Sequence, residues 1–107
     1  MNRIFMNKLS STQRSYLLAQ AHHLKPVVLI GKNGITDGTI EAVNKALEAQ
    51  ELIKIKFCAF KDNKQSFSDE IAVADNCHVV CMIGHTVILF RHNSDPERQN
   101  IRFPGIK

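Results

Sequence analysis

The chain predicts an α/β fold built on a mixed four-stranded sheet. Two observations carry this. Short apolar, β-branched runs alternate with amphipathic helical patterns, and the last two runs meet at a Gly84-His85 turn. Alternating strands and helices imply parallel neighbours joined by right-handed crossovers. The terminal hairpin adds an antiparallel strand. The predicted order is helix, strand, helix, strand, helix, strand, strand.

Each element has a local reason. Ser10 and Gln13 fit a capping box, which opens a helix from Thr12 to about His22. Leu17, Leu18, Ala21 and Leu24 form its apolar stripe. Pro26 ends that helix and favours an extended approach to a strand at Val27–Ile30. This strand is apolar throughout, which predicts burial on both faces. Thr36 caps a second helix running to about Gln50, with Ile40, Val43 and Leu47 inward and a Glu41–Lys45 pair outward. Ile53, Ile55 and Phe57 alternate with Lys54 and Lys56 in a half-buried strand over 52–57. Lys61–Gln65 reads as a polar turn, followed by a third helix at Ser66–Asp75 with Phe67, Ile71 and Ala74 inward. His78–Ile83 and Thr86–Phe90 form the hairpin. From Asn93 onward, Pro96, Pro104 and Gly105 predict a surface tail, with at most a short extended piece at Ile101–Phe103.

At 107 residues, with 44% hydrophobic and 22% charged content, the chain suits one globular domain with a single modest core. No apolar run approaches the roughly 18 residues of a membrane span. The start lacks a signal-peptide core, so the expected location is the cytoplasm. Cys58, Cys77 and Cys81 make an odd count, which favours reduced thiols. A zinc site using Cys77 and Cys81 with His78 or His85 is the alternative, but the spacing is not a CxxC knuckle. Cys58 and Cys81 fall in strand patterns and are expected as small core residues.

The net charge is +4, and its distribution says more than the total. Arg3, Lys8, Arg14, Lys25 and Lys32 precede the first acid, Asp37. No acid lies between Asp75 and Asp95, whereas acids gather at 37–51 and 62–75. One basic part and one mixed part fit a polyanion-binding surface.

The loop Gly31-Lys32-Asn33-Gly34 sits between the first strand and the second helix. Two glycines allow positive φ and close approach of a ligand, and Lys32 puts a cation there. The loop is neither a Walker A sequence nor a dinucleotide fingerprint. What remains is a GxxG loop that clamps a nucleic-acid backbone, as in KH domains. Asp37 would repel a phosphate placed on the helix axis, so contacts are expected from Lys32, Asn33 and the loop amides. No Ser–His–Asp, Cys–His or paired-carboxylate arrangement can be argued. No aromatic stacking motif is present either, and Phe57, Phe67 and Phe90 suit the core. No enzymatic activity, metal or cofactor is expected.

Three ordered blocks resemble one family. They are Leu24-Lys25-Pro26-Val27-Val28 leading to Gly31-Lys32-Asn33-Gly34, then Ala46-Leu47-Glu48 with Glu51-Leu52-Ile53-Lys54-Ile55, and finally Val80 to Arg91 through Ile83-Gly84-His85-Thr86-Val87-Ile88-Leu89-Phe90-Arg91. Together they resemble the CRM domain (chloroplast RNA splicing and ribosome maturation) in its stand-alone bacterial, YhbY-like form. Cys81 and Phe90, where many members carry tyrosine at the latter position, are modest departures.

The resemblance implies a two-layer α/β fold similar to the C-terminal domain of translation initiation factor three, with strand order 1-2-4-3 and strand four antiparallel to the rest. It places an RNA-binding domain at residues 8–92 and the tail at 93–107. It also implies a non-catalytic partner of RNA, the precursor large-subunit ribosomal RNA in pre-ribosomal particles, with no oligomer or membrane partner expected. In that topology the Gly31–Gly34 loop and the Gly84-His85 turn leave the same end of the sheet, on the order of 15 Å apart. The expected RNA-binding residues are Gly31, Lys32, Asn33, Gly34, Lys61, His85 and Thr86 at that end, with Lys25 and Arg14 contributing elsewhere. The alternative function is a protein-interaction adaptor in a ribosomal complex.

Overall fold

The structure is a computed structural model and describes residues 9–93, 95, 97, 99 and 101. Arg102 and Phe103 of the expected extended piece, together with Arg3, Lys8, Pro96, Pro104 and Gly105, lie outside the described residues.

The elements are α1 (Ser11–Ala21), β1 (Pro26–Ile30), α2 (Asp37–Gln50), β2 (Leu52–Phe57), a 3-10 turn (Lys61–Asn63), α3 (Lys64–Asp75), β3 (His78–Ile83) and β4 (Thr86–Phe90). The sheet order is β1-β2-β4-β3. β1 and β2 are parallel, and β4 runs antiparallel to both β2 and β3. The helix–strand alternation and the hairpin therefore sit where the sequence predicts them.

Local chemistry explains the helix starts. The Ser10 hydroxyl accepts the Gln13 amide at 3.1 Å while the Gln13 side chain accepts the Ser10 amide at 2.9 Å, a complete capping box. Thr36 caps α2 by accepting the Thr39 amide at 3.1 Å. Glu41 and Lys45 form the outward ion pair at 3.3 Å.

Strand alternation divides the core in two. Val28, Ile30, Ile53, Ile55, Phe57, Val87 and Leu89 face α2 and α3, meeting Val43, Leu47, Ile71 and Cys77. Leu52, Val80, Ile88 and Phe90 face the other way and meet Leu17 and Ala21 of α1. The helix α1 therefore covers one end of the second face, and among the described residues the GKNG end of that face is left open.

This placement corrects the expectation for β1. It is an edge strand buried on one face, with Val27 48% and Leu29 63% exposed. An apolar run records that a strand can be buried, not which faces find a cover. Three smaller corrections follow from packing. The helix α3 begins at Lys64, and Ala72 rather than Ala74 packs inward while Ala74 is exposed. Cys77 is the buried thiol, Cys81 is half-buried, and Cys58, just past the end of β2, is exposed. Lys61–Gln65 is helical rather than a simple turn.

Past Arg91, Asn93 and Ile101 lie against the domain. Glu51, at positive φ at the C-terminus of α2, is buried. Its carboxylate accepts the amides of Asn93 and Ile101, the latter at 2.8 Å. Asn93 is buried, and Ile101 packs against the α1 cluster.

Candidate nucleic-acid interface

The GKNG loop is a hydrogen-bonded turn. The Gly34 amide donates to the Gly31 carbonyl at 3.0 Å, which leaves Lys32 and Asn33 exposed at the tip. The two glycines have different roles, which corrects the expectation that both supply positive φ. Gly34 has φ +67 and is buried, and a β-carbon there would meet Phe60 at 3.5 Å and Phe67 at 3.6 Å. Gly31 is outside the positive-φ region, and among the described residues nothing lies within 4 Å of where its β-carbon would stand. Gly34 serves the turn, and Gly31 leaves open space beside the tip.

The N-terminus of α2 is already served. Thr36 takes the Thr39 amide, the Thr39 hydroxyl donates to the Gly34 carbonyl at 3.3 Å, and Asp37 lies in the first turn. A phosphate at this end meets the loop and its lysine rather than an empty helix terminus.

Backbone hydrogen bonds hang the two loops on neighbouring residues of one strand. The amides of Cys58 and Ala59 donate to the Ile30 carbonyl at 2.9 and 3.2 Å, and the Phe57 amide donates to the His85 carbonyl at 2.8 Å. Ile30 and His85 therefore flank the end of β2 at two strand spacings, roughly 10 Å.

Cations gather around this end. The Lys64 ammonium donates to the Gly84 carbonyl at 2.5 Å and lies 3.2 Å from His85 Nδ1. Partial shielding from water, and then the positive fields of Lys64, Lys61 and Lys56, hold His85 below its ordinary value. On the open sheet face, register pairs Leu29 with Lys56, Lys56 with Thr86, and Thr86 with Ile83. This places one exposed lysine and a half-exposed threonine between two exposed apolar side chains in a single row.

Of the residues singled out from the sequence, Gly31, Lys32, Asn33, Gly34, Lys61, His85 and Thr86 share this end. Lys25 is exposed but precedes β1, at the opposite end of the strand. Arg14 lies on α1, where its Nε donates to the Val80 carbonyl at 3.0 Å. Arg91 is occupied by Asn44, Glu48 and the Asp75 carbonyl. Sequence reasoning missed Lys56, Lys64 and Phe60. Lys64 sat in a segment read as a polar turn, and only the tertiary approach of α3 to the hairpin reveals its role. Among the described residues no group of three or more His, Cys, Asp or Glu is placed to hold a metal ion. No helix there is long and apolar enough to cross a membrane.

Known proteins are similar to this chain over most of its length. The model of the CRS1 / YhbY (CRM) domain matches residues 9–91. A protein of Haemophilus influenzae named as an RNA-binding protein is 37% identical over 88% of this chain and 96% of its own. A probable RNA-binding protein of Bacillus subtilis, YqeI, is 31% identical over 90% of this chain and 99% of its own. The solution structure of a candidate RNA-binding protein from Staphylococcus aureus superposes with a TM-score of 0.73 at 27% identity, covering 89% of this chain and 100% of that one. With the family model matched over residues 9–91 and these relatives 31–37% identical over most of the chain, the chain belongs to the CRS1 / YhbY (CRM) domain family.

Proposed function

We propose that this protein binds RNA through the sugar–phosphate backbone at the GKNG end of the sheet. The ligand is ribosomal RNA of the large-subunit precursor, engaged in the cytoplasm during subunit assembly without any chemical step. The observation that carries this reading is the turn itself: Lys32 and Asn33 project from a fixed tip beside an open Gly31, with Lys56, Lys61 and Lys64 around the neighbouring hairpin. His85 and Thr86 lie at the same place. Lys25 and Arg14 contribute long-range attraction at most, since they stand apart from this end. The names of the relatives agree with RNA as ligand. The large-subunit precursor is the RNA that the resemblance of the three sequence blocks implies.

Neutralising phosphates releases counterions, so affinity falls with salt. With about three to five phosphate contacts, log affinity against log salt has a slope of roughly −2 to −4. Titration of pre-ribosomal RNA across a salt series tests this, and a flat response contradicts it. A second reading, a protein-interaction adaptor, draws on the exposed Val27, Leu29 and Ile83. It predicts weak, salt-insensitive RNA binding and capture of a protein partner that Leu29→Lys abolishes.

A further inference from the structure

Phe60 stands at the GKNG end without a role in the reading above. A β-carbon built on Gly34 would stand 3.5 Å from the Phe60 ring, and the ring centroid lies 5.4 Å from that of Phe67, yet the residue is 41% exposed. Its backbone is left-handed, with φ 55 and ψ 40, an outlier for a bulky side chain. The carbonyl of Phe60 accepts the Asn63 amide at 2.9 Å, so the 3-10 turn that carries Lys61 begins from this conformation. The ring is thus pinned on one side by Gly34 and Phe67, and the rest is open to water. It stands beside the GKNG turn and directly precedes Lys61 in the chain.

This ring is held at one flank and left partly exposed, at the end of the sheet where phosphates are expected. A rigid aromatic surface next to a phosphate clamp suits a nucleobase, which stacks on it irrespective of sequence. A duplex cannot use it, because its bases are already stacked on one another.

We infer that Phe60 is a stacking platform for an unpaired base, and that the RNA taken at this end is single-stranded or looped rather than duplex. The inference rests on the RNA-binding reading above and adds the state of the RNA. Every base offers a π-face, so the platform sets a preference for unpaired nucleotides and not for a sequence.

The chain contains no tryptophan, so Phe60→Trp introduces a single indole as a reporter. The experiment measures binding of wild type, Phe60→Leu and Phe60→Trp to a mixed-sequence single strand of about twelve nucleotides and to the corresponding duplex, with a thermal melt of each variant. Phe60→Leu retains an apolar cover for Phe67 while removing the aromatic face. It is expected to weaken single-strand binding about 5- to 100-fold and leave duplex binding within about twofold. Phe60→Trp is expected to bind the strand, with indole fluorescence quenched at saturation by the strand and not by the duplex. Unchanged strand affinity in a folded Phe60→Leu, or indole emission unmoved at saturation, overturns the inference while leaving RNA binding intact. Should Phe60→Leu fail to fold, the indole signal alone decides. Failure of the wild type to bind either RNA overturns both readings.

Discussion

Phe57 and His85 are joined by a backbone hydrogen bond of 2.8 Å, and the very next amide of the strand, that of Cys58, goes to Ile30 on the other side. The end of β2 thus holds the hairpin turn by one hand and the root of the GKNG loop by the other. The spacing of the two loops is a property of the sheet and not of flexible side chains. Any ligand that touches both meets a preset separation.

The first expectation concerns pH. His85 is held below the ordinary imidazole value by partial shielding and by Lys64, Lys61 and Lys56, so the free protein carries it neutral near pH 7. A phosphate oxygen beside the ring favours the imidazolium and raises its pKa in the complex. Binding therefore takes up a proton, and affinity rises as pH falls from about 8 through the ordinary imidazole range. His85→Gln flattens that dependence. A wild-type profile identical to that of His85→Gln removes His85 from the contact.

The two loop glycines should respond differently to alanine. Gly34→Ala places a β-carbon at φ +67 beside Phe60 and Phe67, which costs about 1–2 kcal/mol for the backbone alone. Gly31→Ala meets open space at an ordinary φ and stays within about 0.5 kcal/mol of wild type. Urea titration measures both. Equal losses would mean that Gly31 also sits in a conformation that excludes side chains.

Glu51 anchors the returning chain. Its buried carboxylate accepts the amides of Asn93 and Ile101, and removing it leaves both without that acceptor. Glu51→Ala is expected to destabilise the domain by about 2–4 kcal/mol, read as a lower urea midpoint. A chain truncated after Arg91 should then lose little further stability from the same substitution, because the amides are already gone.

The cysteines give an independent check on the packing. Cys58 is exposed and is expected to react readily with a thiol reagent, whereas Cys77 is buried and is expected to react only on unfolding. Burial first, then the Asp75 charge, push the Cys77 thiol up to about 12. A proton held more tightly in the folded state stabilises fully below the thiol's ordinary value. That contribution is lost as pH rises from about 9 towards 12, and Cys77→Ala should flatten this part of the stability curve. Rapid labelling of Cys77 in the folded protein would contradict the core described above.

How much of this was legible in the sequence depends on whether the signal was local. The alternation of Ile53, Ile55 and Phe57 with Lys54 and Lys56 gave β2 its faces, and Ser10 with Gln13 gave α1 its start, because both patterns involve near neighbours. The exposure of Leu29 was not legible. It depends on where α1 lands, and α1 lands over Leu52, Val80 and Phe90 at the far end of the sheet. Gly31 and Gly34 look alike as letters; the turn hydrogen bond and the rings of Phe60 and Phe67 distinguish them. Phe60 and Lys64 were hidden for the same reason as Leu29. Their neighbours Gly34 and Gly84 lie 26 and 20 residues away in sequence.

The most direct measurement of the central claim is the affinity of Lys32→Ala/Asn33→Ala for pre-ribosomal RNA, with its thermal melt. Both side chains are exposed at the tip of the turn, so the melt should match wild type within a few degrees. If the loop clamps the RNA backbone, affinity falls about tenfold or more, as expected for losing a charge-assisted phosphate contact and its neighbour. Unchanged affinity with an unchanged melt would contradict the account, reduce the glycines to turn geometry and move the RNA to another surface.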